Sequence, residues 1–140
     1  MQVRPFAPAD AEALIQLWHD CGLVRPWNDP HKDIARKLSI APELFLVGSD
    51  AAGQIMASIM IGYEGHRGWI NYLAVHPSQQ RQGHARRLMQ LAEQLLSERG
   101  CPKLNLQVRA GNEAVIAFYE SLGYADDKTV SMGKRLIADI

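Results

Sequence analysis

A glycine-containing stretch, Gln80-Arg81-Gln82-Gly83-His84-Ala85-Arg86-Arg87, has the residue types and spacing of an anion-binding loop. It joins an apolar strand candidate to an amphipathic helix candidate, and free N–H groups at a helix start bind phosphate with help from the helix dipole. Gly83 has no side chain, so a ligand can approach the backbone closely. The arginines of this first turn oppose the dipole, and an anionic partner such as a diphosphate would compensate for them.

A second stretch contains Asn112, Tyr119 and the run Leu122-Gly123-Tyr124. Taken alone, it predicts an amphipathic helix with an ordinary glycine stop, in which Tyr119 is a core aromatic residue. Taken alone, the first stretch also has a simple alternative, a solvated arginine-rich turn that binds nothing. The phosphate-binding spacings G-x-x-x-x-G-K-[ST] and G-x-G-x-x-G do not occur in it.

Together the two stretches resemble the GNAT superfamily of acetyl-CoA-dependent N-acetyltransferases. The pyrophosphate motif of that family, Q/R-x-x-G-x-G/A, is matched by Gln80 through Ala85. Its later motif has an Asn, a Tyr seven residues on, and then x-x-L-G-Y/F, which Asn112, Tyr119 and Leu122-Gly123-Tyr124 match. The segment Tyr72–Pro77 matches the central strand of the family.

The resemblance implies acetyl-CoA as co-substrate, bound in a gap between the fourth and fifth strands. Asn112 would bond the pantetheine amide, and Tyr119 would reach the thioester sulfur. Backbone atoms would hold the rest of the cofactor: Leu73, Ala74 and Val75 the pantetheine arm, and Arg81, Gln82, Gly83, His84, Ala85 and Arg86 the pyrophosphate.

The reaction that the resemblance implies is direct acetyl transfer to an amine, with Tyr119 protonating the departing thiolate. Lysine-like amines are mostly protonated at neutral pH, so a general base or a water chain leading to one is needed. Some relatives carry a carboxylate on the fifth strand, but Gln107 stands there. Glu64 is therefore the predicted base, with a solvated hairpin carboxylate as the alternative, and His66 is read as part of the turn.

The acceptor is expected to enter opposite the cofactor, where Trp27, Asn28 and Glu64 are the predicted substrate-binding residues. Trp27 follows a proline and offers an apolar wall, although it is equally well explained as an inward-packed residue of a rigid connector. Nothing in the sequence fixes whether the acceptor is a protein amine or a small molecule. A non-catalytic acyl-CoA-binding or sensing module of the same fold is the alternative function.

The elements that must position these residues alternate along the chain. Apolar spacings of three and four predict helices, alternation and apolar runs predict strands, and Asp29-Pro30 predicts a helix start. The predicted order is β-α-α-β-β-β-α-β-α-β-β, an α/β fold with a mixed sheet, which is also the acyl-CoA N-acyltransferase fold. Its last strands are Lys103–Val108, Tyr124–Asp126 and Val130–Leu136.

Length and composition limit the alternatives. The 140 residues correspond to one domain over 1–140, which the resemblance implies is an N-acetyltransferase domain. Lys plus Arg and Asp plus Glu number 15 each, which argues against a nucleic-acid binder. No apolar run is long enough for a membrane span and no signal peptide is evident, so a cytoplasmic location is expected. The two cysteines, Cys21 and Cys101, are read as inert thiols and no metal site is expected. Pairing of the final strands between two copies would give a homodimer.

Overall fold

The computed structural model describes residues 1–140 as a five-stranded sheet with helices on both faces. The strands follow the order β1-β2-β3-β4-β5, antiparallel except for the parallel pair β4 and β5. The predicted mixed α/β sheet is thus confirmed. The elements are β1 (Gln2–Pro5), α1 (Ala11–Asp20), α2 (Pro30–Leu38), β2 (Phe45–Ser49), β3 (Ile55–Tyr63), β4 (Gly68–Val75), α3 (His84–Glu98), β5 (Leu104–Asn105) and α4 (Glu113–Ser121).

The core lies on both sides of the sheet because its central strands are apolar on both faces. In β2, Leu46 packs toward α3, whereas Phe45 and Val47 pack toward α1 and α2. On α3, buried residues recur at spacings of one, three and four, the stripe expected of an amphipathic helix; they are Leu88, Met89, Ala92 and Leu96. This burial fixes where α3 begins, and therefore where the Gln80–Arg86 loop lies.

The helix α2 begins where the sequence predicts. The Asp29 side chain accepts a hydrogen bond from the His31 N–H at 2.9 Å, and Pro30 occupies the first helical position. A side-chain N-cap of this kind contributes about 1 kcal/mol to a helix. The helix ends at Leu38.

The strands β4 and β5 pair only at their beginning. The paired residues are Gly68 with Leu104 and Trp69 with Asn105, after which β4 continues to Val75 without β5. The predicted strand Lys103–Val108 is thus much shorter in the structure. The edge of β4 beyond Trp69 faces a gap, as the resemblance implies.

The predicted strands Tyr124–Asp126 and Val130–Leu136 are wrong, because the structure has no strand after α4. Their apolar side chains alternate in the sequence, yet Val130, Met132 and Leu136 are 86%, 91% and 86% exposed. No other part of the protein covers these residues, so neither face of the segment is buried. The alternation of apolar residues therefore does not produce a strand. The segment is instead fixed by its polar side chains, as described below.

No helix of this structure combines the length and apolar character needed to cross a lipid bilayer.

Candidate active site

The loop before α3 presents a row of unpaired backbone donors. From Gln80 through Arg86, no backbone N–H donates to another protein atom; the first to do so is that of Arg87, which reaches the Gly83 carbonyl. Buried backbone donors are nearly always paired in proteins, but this row opens a helix at the surface. It has the form of an anion cradle with the positive end of the α3 dipole behind it.

Two features hold the loop in this form. The Gln80 side-chain amide donates to the Val75 carbonyl at 3.0 Å, which ties the loop to the end of β4. Gly83 caps α3 with φ +82°, in the left-handed region that glycine adopts without strain. Arg81 has φ +64° in the same loop, a conformation that costs a non-glycine residue about 1–2 kcal/mol.

The arginines of the loop have different surroundings. Arg87 donates to the Met1 carbonyl at 2.6 Å and is therefore occupied within the protein. Arg81 and Arg86 are exposed and form no ion pair within 4.0 Å. Two of the three cations that oppose the helix dipole are thus free to bind an anion.

A bulge interrupts β4 in front of the gap. Opposite Ile59, β4 carries both Tyr72 and Leu73, since Ser58 pairs with Ala74 and Met60 with Asn71. Tyr72 has φ +50°. Residues an odd number of positions apart normally lie on opposite faces of a strand. Because of the extra residue, Ile70 and Val75 both pack toward α3.

Buried hydrogen bonds fix the bulge. The Trp18 indole N–H donates to the Ser58 hydroxyl at 2.9 Å, and that hydroxyl donates to the Tyr72 carbonyl at 2.7 Å. The Trp18 and Tyr72 rings stack with centroids 3.8 Å apart. The Tyr72 hydroxyl donates to the Asp33 carboxylate at 2.6 Å. Trp18 is thus a fully buried core residue whose indole N–H also makes a polar contact.

The predicted pantetheine-binding residues lie beside the gap. Leu73 and Tyr119 pack against the same core cluster, which places the end of β4 and α4 on one side of the sheet. The Val75 carbonyl already accepts from the Cys21 thiol and from Gln80. Asn112 is the N-cap residue of α4, but its side chain makes no capping hydrogen bond, so its amide is free for a ligand.

Tyr119 is a half-buried aromatic residue whose hydroxyl has no hydrogen-bond partner in the protein. Its ring lies edge-on to Phe118 and Tyr124, at centroid distances of 5.1 and 5.8 Å. Burial raises its pKa to about 12, because an apolar environment disfavours the phenolate. The phenol is therefore protonated at neutral pH. It lines a groove of about 1040 Å³ that extends along β5 and the following chain.

Glu64 lies in the exposed turn between β3 and β4. Its carboxylate accepts hydrogen bonds from the backbone N–H groups of Arg67 at 2.7 Å and His66 at 3.2 Å. These bonds, that of Arg67 above all, lower the pKa of Glu64. A carboxylate with a lowered pKa is a weaker base, so this geometry favours the turn role over the predicted catalytic role.

Trp27 is 51% exposed, so the inward-packed alternative for this residue is wrong. The Arg109 guanidinium lies over its ring, 5.6 Å from the centroid. With Arg36 and residues 133–137, Trp27 lines an open cleft of about 660 Å³. The Asn28 side chain, which was predicted to bind substrate, accepts a hydrogen bond from Arg135.

The cleft depends on a residue that the sequence analysis missed. The Asp139 carboxylate, 0% exposed, contacts the Arg36 guanidinium at 2.7 Å and accepts from the Asp29 N–H at 2.9 Å. Arg36 lowers the Asp139 pKa to about 2. Asp139 thus attaches the chain after α4 to the start of α2. No local pattern marks a pair separated by 103 positions.

Known proteins resemble this chain in sequence and in fold. Residues 11–124 match the model of the family described as "Acetyltransferase (GNAT) family". A protein of Yersinia enterocolitica described as an acetyltransferase is 51% identical over 139 residues, covering 99% of this chain and 98% of its own length.

Two solved structures are also similar. Naa20 of Chaetomium thermophilum, in complex with a bisubstrate analogue, has a TM-score of 0.73 at 26% identity, over 89% of this chain and 71% of that one. The ribosomal-protein-S18-alanine N-acetyltransferase of Escherichia coli has a TM-score of 0.71 at 27% identity, over 87% and 76% of the two chains.

Proposed function

Because this chain belongs to the GNAT family of acetyltransferases, we propose that it transfers an acetyl group from acetyl-CoA directly to a primary amine. The observation that supports this most is the row of unpaired N–H groups from Gln80 through Arg86. A diphosphate offers acceptor oxygens and negative charge to such a row. Trp69, where β4 and β5 separate, and Tyr119 line the same groove.

In the proposed reaction the neutral amine attacks the thioester carbonyl, and a C–N bond forms as the C–S bond breaks. The carbonyl oxygen becomes negative in the transition state, and a backbone N–H of the β4 bulge is suited to stabilise it. The thiolate leaves as CoA and takes up a proton, while the amine loses one. No covalent bond to the protein is formed.

Tyr119 is the proposed donor to the departing sulfur. Its pKa of about 12 keeps the phenol protonated, whereas a thiol titrates near 8.5. Complete proton transfer from this phenol is therefore uphill, and hydrogen-bond donation to the developing thiolate is the larger contribution. The Tyr119 hydroxyl makes no competing bond within the protein, which suits it to this role.

If the Glu64 carboxylate stays hydrogen-bonded within its own turn, the acceptor amine must lose its proton to another group. The acceptor then binds as its neutral fraction, or loses a proton to water in the open cleft. In that case kcat/KM rises about tenfold per pH unit up to the pKa of the acceptor amine. A base with the ordinary Glu pKa of about 4.3 would instead give a flat profile at neutral pH.

For the acceptor, the two solved structures offer a guide. The Escherichia coli relative is described as acting on an alanine of a ribosomal protein, and a peptide α-amine is one candidate here. The cleft at Trp27 is open to solvent, which would admit a chain end or a small molecule alike. We place the acceptor in this cleft because it lies on the α1 and α2 side, opposite the cofactor.

The test has two stages. In the first, the unfolding temperature is measured with acetyl-CoA; ligand at about 100 times its Kd adds roughly 2.7 kcal/mol of stability. In the second, thiol release is measured over a panel of amino acids, peptides and polyamines. Release that depends on the acceptor supports the transferase. Stabilisation without release from any acceptor would instead indicate the non-catalytic module, and no stabilisation at millimolar acetyl-CoA would contradict both.

A further inference from the structure

We propose that the acceptor amine carries a carboxylate or a similar anionic group, which Lys134 and Arg109 bind in the cleft at Trp27. This inference rests on the proposed function and adds the chemical class of the substrate. The cleft is built from the α1–α2 connection, α2 and the chain after α4. Its one aromatic wall, Trp27, suits an aliphatic or peptide portion of the same molecule.

The charge of the cleft is the first observation. Four cationic side chains, Arg36, Lys134, Arg135 and Arg109, lie on or beside it, against the carboxylates of Asp33 and Asp139. The whole chain has a formal net charge of zero, so this local excess is not a general property of the surface. A cleft of one sign concentrates ligands of the opposite sign.

The second observation is that the carboxylates in the cleft are already committed. Asp33 accepts from the Tyr72 hydroxyl at 2.6 Å and contacts Arg36 at 3.2 Å. Asp139 is fully enclosed against Arg36, and Arg135 lies 3.9 Å from it. Neither carboxylate is available to bind a cationic ligand.

Lys134 and Arg109 are the cations without a partner. No carboxylate lies within 4.0 Å of either. The Arg109 guanidinium rests on the Trp27 ring, which orients its planar N–H edge and leaves it free for a carboxylate. Lys134 lines the cleft together with Trp27. An anionic group between them would satisfy both charges.

Side-chain contacts connect the cleft to the β4 bulge. Arg36 contacts Asp33, and Asp33 holds the Tyr72 hydroxyl of the β4 bulge. Arg109 stands three positions before Asn112, which we expect to contact the pantetheine arm. A molecule held at Lys134 and Arg109 would therefore lie on the same side of the sheet as the Tyr72 ring, and we expect its amine to point toward the bulge. Acceptors with several positive charges, such as polyamines, are disfavoured by the same cations.

The experiment measures kcat/KM for acceptors in matched pairs that differ in one charge. Each amino acid is paired with its amide, and each peptide with an acidic second residue is paired with versions that carry Gln or Lys there. We expect the anionic member of the preferred pair to exceed the neutral one at least tenfold, and the cationic one by more. The preference should weaken as the salt concentration rises.

Three variants locate the charge effect. Lys134→Gln and Arg109→Gln should each raise KM for the anionic acceptor about threefold to fivefold, as expected for exposed ion pairs, and leave the neutral acceptor unchanged. Lys128→Gln removes a charge from the same exposed segment outside the cleft and is the matched control. It should change neither KM.

Several results would overturn the inference. Transfer that ignores acceptor charge, or favours cationic acceptors, contradicts it while leaving the transferase function intact. A rise in KM for acetyl-CoA rather than for the acceptor in Lys134→Gln assigns the cleft to the cofactor. Absence of transfer to every acceptor contradicts the proposed function itself, and this inference with it.

Discussion

The two sides of the candidate site are built in different ways. The proposed cofactor side presents backbone N–H groups from seven consecutive residues, Gln80 through Arg86. The proposed acceptor side presents side chains brought together from distant parts of the chain, such as Trp27, Arg109 and Lys134. A backbone cradle depends on conformation and tolerates many side chains, whereas a side-chain cleft changes its chemistry with each substitution. One fold can thus keep one cofactor and vary its acceptor.

The largest expected effect lies at the meeting point of the two sides. Tyr119→Phe removes the phenol hydroxyl and keeps the ring, so we expect kcat to fall about 100-fold, within the range for loss of a proton donor, with no change in acetyl-CoA affinity. Because the Tyr119 pKa is about 12, wild-type activity should show no loss from ionisation of this phenol below about pH 10. Steady-state kinetics across pH test both statements, and equal turnover of the two proteins would remove Tyr119 from catalysis.

A second substitution separates the cradle from the cleft. Gly83→Ala places a Cβ at φ +82° and strains the cradle, so we expect KM for acetyl-CoA to rise about tenfold, the equivalent of roughly 1.4 kcal/mol, while KM for the acceptor stays constant. Gly53→Ala is the control, since Gly53 has φ +80° and equal free space in the β2–β3 turn. Both variants should lose similar stability in urea unfolding. A similar effect of both on acetyl-CoA KM would contradict the cradle.

The converse experiment acts on the acceptor side alone. Asp139→Asn weakens the contact with Arg36, so we expect KM for the acceptor to rise about threefold, as for a partly exposed ion pair, with KM for acetyl-CoA unchanged. Asp126→Asn, elsewhere in the same segment, serves as the control. An unchanged acceptor KM in Asp139→Asn would show that this contact does not shape the cleft.

The pH dependence of the Asp139 contact has a defined sign. Since the folded-state pKa is lowered from 3.8 to about 2, the stabilisation is complete above about pH 4 and is lost as the pH falls toward 2. Acid unfolding of the wild type and of Asp139→Asn, followed by tryptophan fluorescence, should therefore converge at low pH. Curves that differ most at pH 2 would contradict this assignment.

The smallest effect is expected at Glu64. Glu64→Gln keeps an oxygen that can accept from the Arg67 and His66 N–H groups, so activity should remain within about twofold of wild type if the residue serves the turn. A loss of more than tenfold, at unchanged stability, would restore Glu64 as the general base. The pH profile of kcat/KM provides the independent check.

The difference between the two sides also explains what the sequence could predict. The Gln80–Ala85 motif is contiguous, so its spacing marked the cradle directly. The stripe on α3 and the Asp29 cap are equally local, and they were predicted correctly. The final strands were wrong because alternation of Val130 and Met132 indicates a strand only where another layer covers one face. The pairing of Arg36 with Asp139 spans most of the chain, and local pattern carries no information about it.

The additional residue in β4 has a consequence for sequence comparison. Two residues, Tyr72 and Leu73, lie opposite the single residue Ile59. The alternation of β4 side chains between the two faces of the sheet therefore shifts by one residue at this point. Removing one of these two residues would close the bulge: Ala74 and Val75 could keep their places opposite Ser58 and Ala57, but the left-handed backbone at Tyr72 and the unpaired residue beside the gap would be lost. Alignments of relatives should therefore be judged by whether they keep the number of residues between Ile70 and Val75, since an insertion or deletion there predicts a different lining for the gap.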